Sequence, residues 1–169
     1  MSKAFTKDDA EDEPLVVPRP PLPAGSPNYV TPRGLARLRA ELRQLDTERA
    51  HLEAQPPEPD RVRALTILHA RIHELGERIA SAVPVDPRTQ PRDEIRFGAT
   101  ITVRGETGPA RHYEIVGVDE ADAAHGRLAF SAPLARALLG KRAGDVIAFR
   151  TPRGEEELEI VAIDYAGEA

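Results

Sequence analysis

Three carboxylate side chains fall in the short break between two helical stretches of this 169-residue sequence. They are Glu53, Glu58 and Asp60. Carboxylate oxygens are the ligands that Mg²⁺ prefers, so an exposed turn that carries several of them could present a metal ligand. The same residues also suit a solvated turn and the positive N-terminus of a helix, where Asp60 is placed to act as the cap. We favour this second interpretation, which requires no metal.

Two imidazoles offer a second source of chemistry. His69 and His73 stand four residues apart in the second helical stretch, a spacing that can chelate a metal ion. No third ligand is evident nearby, so we predict a solvated pair and no metal site. The absence of cysteine excludes disulfides, thiolate metal sites and cysteine nucleophiles.

Leucine and isoleucine repeat at steps of three and four on both sides of the carboxylates, which predicts two amphipathic helices. The first begins at Thr31-Pro32, a hydroxyl N-cap followed by a proline, and three prolines within 56–59 end it. Each apolar stripe is narrow, so it can be buried against one neighbouring helix but not against two elements. An ordinary packed helix pair is the alternative, but we predict a projecting antiparallel coiled-coil hairpin at 29–84. Its seam residues are Leu35, Leu38, Leu42, Leu45 and Leu52, then Leu65, Leu68, Ile72, Leu75, Ile79 and Ala82.

After a charged linker at 85–97 the apolar period changes from helical to alternating, which predicts a second domain at 98–169. Short alternating runs separated by turn residues indicate an antiparallel sheet. Pro133 to Leu139 is predicted to be a short helix on that sheet, with Gly140 as its C-cap. The predicted fold class is therefore α+β.

Residues 1–28 are acidic and then rich in proline, which predicts a disordered arm that serves as a solubilising leader or a partner-binding tail. The N-terminus lacks the apolar run of a secretory signal, and no stretch is long enough to span a bilayer. The net charge of −5 disfavours independent binding to duplex nucleic acid. We therefore expect a cytoplasmic protein with no membrane association.

Two stretches resemble the GreA/GreB family of transcription elongation factors. The first is Thr31-Pro32-Arg33-Gly34-Leu35, with Leu38 and Glu41-Leu42 after it. The second is Pro133-Leu134-Ala135-Arg136-Ala137-Leu138-Leu139-Gly140-Lys141, followed by Gly144-Asp145. The order of the parts also agrees over roughly 29–165, and the leader is similar to that of some GreB-like proteins.

The resemblance implies a coiled-coil arm and a C-terminal domain similar to FK506-binding proteins. It also implies that bacterial RNA polymerase is the partner, with the C-terminal domain at the rim of its secondary channel and the arm inside. An acidic tip motif of the family, Gly-Asp-x-Ser-Glu-Asn, helps to hold a second Mg²⁺ there, and the polymerase itself cuts backtracked RNA. The polymerase-binding residues implied for this chain are Pro133, Leu134, Ala135, Arg136, Leu138, Gly140 and Lys141.

The sequence departs from the family pattern at the tip. The acidic motif does not occur, the segment at 53–60 is short, and Ala132 stands where the family usually has Ser. The family's catalytic pair is therefore not carried over, and Glu53, Glu58 and Asp60 remain as tip candidates alone. Any Mg²⁺ involved would belong to the polymerase, because we predict no cofactor of the chain's own.

The function predicted on these grounds is a Gre-like regulator of elongation that is not itself an enzyme. One alternative is a channel competitor that does not stimulate cleavage, and another is an interaction module that regulates a different cytoplasmic protein. A peptidyl-prolyl isomerase is disfavoured because such a pocket needs several convergent aromatic rings. The predicted C-terminal domain has few to spare from its core: Phe97, Tyr113, Phe130, Phe149 and Tyr165.

Overall fold

The computed structural model describes residues 18–165, and part of the predicted disordered arm, residues 1–17, lies outside the described residues. Helices and strands follow in the order β1 (Asn28–Val30), α1 (Pro32–Glu53), α2 (Pro59–Ala80), β2 (Ala82–Pro84), β3 (Thr100–Gly105), β4 (Arg111–Val116), β5 (Arg127–Ala129), α3 (Pro133–Leu138), β6 (Val146–Thr151) and β7 (Gly154–Asp164). Short 3-10 turns lie at Pro87–Thr89, Val118–Glu120 and Ala123–His125. The predicted α+β fold, a helical hairpin followed by a sheet with one short helix, is confirmed.

The first helix starts where its sequence predicts. Thr31 is the N-cap, its hydroxyl accepts a hydrogen bond from the backbone N–H of Gly34 at 2.9 Å, and Pro32 takes the first helical position. Proline fits there because its missing N–H would have no helical partner. At ~1.5 Å per residue, a helix of 22 residues is ~33 Å long.

The two helices pack through the predicted seam. Leu38 and Leu45 of α1 and Leu68 and Leu75 of α2 are buried, and Leu75 is fully buried. Leu42, Leu52, Ile72 and Ile79 pack against these four side chains. The stripe at steps of three and four thus marks the contact between the helices, which makes the hairpin a unit with its own small core.

A pair of very short strands closes the base of the hairpin, and the sequence did not predict it. β1 pairs with β2 in parallel, with Tyr29 opposite Val83. β1 precedes α1 and β2 follows α2, so the ladder ties together the two ends of the hairpin that lie away from its turn. Three residues of extended chain carry too little periodicity to be recognised from sequence.

The C-terminal domain is built on a five-stranded sheet in the order β5-β4-β3-β7-β6. The pairs β4–β3, β3–β7 and β7–β6 are antiparallel, whereas β4 and β5 are parallel, so the predicted antiparallel sheet is in fact mixed. Its core is aliphatic and includes Ile101, Val103, Ile115, Leu158 and Ile160, each at most 1% exposed.

Residues on both flanks of the sheet complete this core. Ile95, within the predicted linker 85–97, is fully buried, and Tyr165 is 2% exposed. The Tyr165 hydroxyl donates to the Glu94 carbonyl at 2.5 Å and accepts from the Arg96 N–H at 2.7 Å. Burial, opposed by the hydrogen bond from Arg96, raises the pKa of Tyr165. Within 18–165, no helix combines the length and apolar character that crossing a membrane requires.

Candidate functional site

The turn between α1 and α2 is closed by an arginine that the sequence analysis did not single out. The Arg61 guanidinium donates to the carbonyl oxygens of Leu52 at 3.2 Å, Glu53 at 3.5 Å and Gln55. The last carbonyls of a helix have no partner within the helix. Arg61 supplies one from the facing helix, so it fixes the start of α2 against the end of α1.

The three tip carboxylates are exposed and do not form a preassembled metal site. The Glu53 carboxylate lies 3.9 Å from Arg49 Nε and 3.8 Å from His69 Nε2. Glu58 is the N-cap of α2 but makes no capping hydrogen bond through its side chain, and Asp60 lies in the first helical turn. Across residues 18–165 no group of three or more metal-ligating His, Asp or Glu side chains is found.

The prediction that Asp60 caps α2 is wrong. Pro59 occupies the first helical position because of its fixed φ, so the cap position falls on Glu58. Asp60 still lies near the positive end of the helix, where a negative charge is favourable. His69 and His73 are both exposed, and His73 lies 3.6 Å from Glu77 instead of sharing a ligand with His69.

The segment predicted to bind polymerase forms α3 and the turn after it. Ala135 and Leu138 are fully buried in the core, so their side chains hold the helix in place and do not contribute to its exposed surface. Leu134 is half-buried. The side of the segment that faces solvent carries Pro133, Arg136, Gly140 and Lys141.

The end of α3 is hydrogen-bonded to the segment that precedes β3. Leu139 is the C-cap, which corrects the predicted position by one residue, and Gly140 follows with a φ of 79°. The Gly140 N–H donates to the Ile95 carbonyl and the Ile95 N–H donates to the Lys141 carbonyl, both at 2.7 Å. This reciprocal pair fixes the exposed residues of the turn. The N-cap Ala132 makes no side-chain hydrogen bond because it has no hydroxyl.

A buried polar junction joins the start of α1 to the C-terminal domain. The Glu120 carboxylate accepts from the Thr31 hydroxyl at 2.7 Å, from the Thr31 N–H at 3.3 Å and from Arg33 Nε at 3.3 Å. Arg33 Nη2 also lies 3.0 Å from both carboxylate oxygens of Glu114 on β4. Glu120 is 4% exposed, so these donors replace the water that its charge has lost.

Gly34 makes room for this carboxylate. A Cβ on Gly34 would lie well inside 3.0 Å of the Glu120 side chain. Glycine in a helix is unfavourable by about 1 kcal/mol relative to alanine. Its presence in the first turn of α1 is therefore a sequence signal that another group comes close to the helix backbone there. The resemblance included this glycine, but its partner 86 residues later was not predicted.

Three aromatic rings meet between the base of the hairpin and the sheet. The centroids of Tyr29, Phe97 and Phe130 lie 5.6–5.9 Å apart, in tilted and edge-on arrangements. The rings line a cleft of about 440 Å³ that also reaches Leu139 and Gly140. Phe97 and Phe130 were noted from the sequence, whereas Tyr29 lies on β1 and was not.

Comparison with known proteins gives three findings. Residues 90–165 match the family described as transcription elongation factor, GreA/GreB, C-term. The chain is 35% identical over 153 residues to transcription elongation factor GreB of Neisseria meningitidis, which covers 82% of the chain and 94% of that protein. It is 36% identical over 151 residues to transcription elongation factor GreA of Brucella canis, covering 80% of the chain and 96% of that protein.

Solved structures of lower similarity also match. The prokaryotic transcription elongation factor GreA/GreB from Nitrosomonas europaea is 23% identical, with a TM-score of 0.42 over 81% of this chain and 98% of that one. The GreA factor homolog 1 of Thermus thermophilus is 21% identical, with a TM-score of 0.38 over 82% of this chain and 99% of that one.

Proposed function

The chain belongs to the GreA/GreB family of transcription elongation factors, and we propose that it regulates elongation by binding bacterial RNA polymerase at the secondary channel. In this proposal the C-terminal domain docks at the rim and the helical arm enters the opening. The observation that carries it is an arm anchored at its base by the Glu120 junction and exposed from Glu53 to Asp60. We place the proposed action in the cytoplasm, where that polymerase works.

The proposed docking face is the exposed side of α3 and its turn. The proline ring fixes φ at Pro133, and Gly140 is held by its hydrogen bond to the Ile95 carbonyl. Arg136 and Lys141 add two positive charges. Ala135 and Leu138 support the face from the core. A cationic rim of this kind would be met by an acidic surface of the polymerase.

A charge reversal tests the docking face. Arg136→Glu is expected to weaken binding to core polymerase about tenfold, because a charge at an interface rim governs encounter and register. Arg153→Glu, an exposed reversal in the turn between β6 and β7, is the matched control and is expected to bind as the parent does. Pull-down and fluorescence titration at micromolar protein give the affinities. If the parent itself does not bind, the proposed function fails.

We further propose that the chain occupies the channel without stimulating transcript cleavage. The family's motif Gly-Asp-x-Ser-Glu-Asn does not occur between α1 and α2, and the tip carboxylates are spread over Glu53, Glu58 and Asp60. Any Mg²⁺ at the tip would be the polymerase's own, and we propose neither a cofactor nor a catalytic group in this chain. In this proposal the factor acts on an enzyme without being one.

The altered tip also favours a second candidate, an interaction module that binds another cytoplasmic protein. The prolines at 56, 57 and 59 give this tip a rigid, extended backbone. Affinity purification from the native cell separates the candidates. Polymerase subunits should dominate under the first proposal, and a different protein should dominate under the second.

A further inference from the structure

The segment at 18–27, which we name the strap, is held at the base of the arm through Arg19 and Pro20, although disorder was predicted for 1–28. Arg19 carries most of its polar contacts. The side chain is 19% exposed and reaches a cleft of about 260 Å³ between α1 and the turn at Val118–Glu120. The prolines at 18, 20, 21 and 23 limit the conformations of the free chain, so ordering the strap loses less entropy than ordering a flexible segment.

Arg19 contacts three separate parts of the molecule. Its Nη1 donates to Asp119 of the C-terminal domain at 3.1 Å, and its Nη2 donates to Glu41 on α1. Its backbone N–H donates to Glu74 on α2 at 3.1 Å. A planar guanidinium with several donors can bridge two carboxylates at once, which a lysine ammonium does less rigidly.

Arg78 adds a second link to the same carboxylate. Its Nε lies 3.6 Å from Asp119 Oδ2, and its Nη2 donates to the Pro20 carbonyl of the strap at 2.6 Å. The Arg78 and Asp119 side chains are 8% and 6% exposed. Asp119 is therefore contacted by Arg19 of the strap and by Arg78 in the last turn of α2. Little water is present there to compete for its carboxylate.

We propose that Arg19 is a positioning residue that sets the angle between the arm and the C-terminal domain, and thereby where the tip points. This inference rests on the proposed function, in which the tip must enter a narrow opening. Arg33 links the domain to the start of α1, and Arg78 links it to the end of α2. Both links lie at the base of the arm. Arg19 adds a third link, an ion pair with Glu41, which lies more than two helical turns beyond Arg33 on α1.

The length of the arm makes the angle important. Over ~33 Å of helix, each degree of rotation at the base displaces the tip by ~0.6 Å. A looseness of about three degrees would therefore move the tip by ~2 Å. In this proposal the side chain of Arg19 thus controls the distance between the tip of the arm and the C-terminal domain, although Arg19 lies far from the tip.

Spin labels measure that distance directly. The sequence contains no cysteine, so Ala54→Cys at the tip and Ala143→Cys in the C-terminal domain place two labels at exposed positions without further changes. Double electron–electron resonance on the full chain is expected to give one narrow distance distribution. Arg19→Ala should at least double its width, and Arg19→Lys should give an intermediate width.

Two further variants separate positioning from general loss of structure. Asp119→Asn removes the shared charge from the other side and should broaden the distribution like Arg19→Ala. Arg88→Ala removes an exposed ion pair to Asp86 in the linker, 2.7 Å long, and should leave the distribution unchanged. Circular dichroism should show the parent's helix content in all variants. An unchanged, narrow distribution in folded Arg19→Ala would overturn the proposal.

Polymerase affinity then tests the consequence of the angle. If the parent binds, Arg19→Ala is expected to bind at least fivefold more weakly, with partial rescue by Arg19→Lys. Equal affinity despite a broadened distribution would overturn the inference that the angle set by Arg19 matters for binding to polymerase. If the parent does not bind polymerase, the proposed function fails, while the distance measurement still decides whether Arg19 sets the angle.

Discussion

The two ends of the helical arm are built from opposite chemistry. At the base, buried carboxylates of Asp119 and Glu120 collect donors from Arg19, Arg33 and Arg78. At the tip, the residues from Glu53 to Asp60 are exposed, and Arg61 alone is seen to bind several backbone carbonyls there. The difference indicates that orientation is determined at the base, while the tip is free to change its chemistry without loss of the fold.

Shortening a seam leucine should show the difference most strongly. Leu75 is fully buried near the base, whereas Leu52 is half-buried near the tip. Leu75→Ala is expected to lower the free energy of unfolding by about 3 kcal/mol, because it removes buried methyl groups and leaves a cavity. Leu52→Ala should lower it by about 1 kcal/mol. Urea unfolding followed by circular dichroism measures both, and equal losses would contradict the comparison.

Removing the central carboxylate of the junction should have the next largest effect. Glu120→Ala leaves the Thr31 hydroxyl and Arg33 Nε without this buried acceptor, and it should destabilise the fold by about 2 kcal/mol. The matched change at the tip is Glu58→Ala, which removes a side chain with no capping hydrogen bond. It should change stability by less than about 0.5 kcal/mol. A comparable loss of stability in both variants would contradict the conclusion that the stabilising polar contacts of the arm lie at its base.

Two glycines sharpen the comparison within the helices themselves. Gly34→Ala forces a Cβ into the Glu120 carboxylate and should destabilise the fold by about 1 kcal/mol despite the better helix propensity of alanine. Gly76 on α2 has open space where a Cβ would lie. Gly76→Ala should therefore stabilise the fold by up to about 1 kcal/mol. Thermal unfolding of the two variants should shift in opposite directions, and a raised unfolding temperature in Gly34→Ala would contradict the close approach at Gly34.

The smallest expected effect is at the turn. Arg61→Ala removes the donors to the carbonyls of Leu52 and Gln55, which water can replace because the turn is exposed. The expected loss is about 0.5 kcal/mol, with faster amide hydrogen exchange confined to the last turn of α1. Faster exchange at the base would show that the two ends are not independent.

The sequence predicts the features of this fold that depend on neighbours along the chain. The leucine seams follow from a local period, and the Thr31-Pro32 start follows from local capping chemistry. The same local reasoning misplaced the α2 cap, since Asp60 is a good capping residue but Pro59 had already taken the first helical position.

The junction could not be predicted because its partners are far apart in sequence. Arg33 and Glu120 are separated by 87 positions, and Arg19 and Asp119 by 100. No period or motif connects such pairs. The parallel pairing of β4 with β5 was missed for a related reason, because the alternation of a three-residue strand does not specify the direction of its neighbour. Which residues of the α3 segment are exposed could be learned only from the structure, in which Arg136 is exposed and Leu138 is buried.

The most direct test of the whole account is RNA cleavage in stalled, backtracked elongation complexes to which the chain is bound. We predict that the parent and the triple variant Glu53→Ala, Glu58→Ala, Asp60→Ala bind equally and leave the cleavage rate at that of polymerase alone. Faster cleavage with the parent, lost in the triple variant, would contradict the proposal that the tip carboxylates take no part in transcript cleavage.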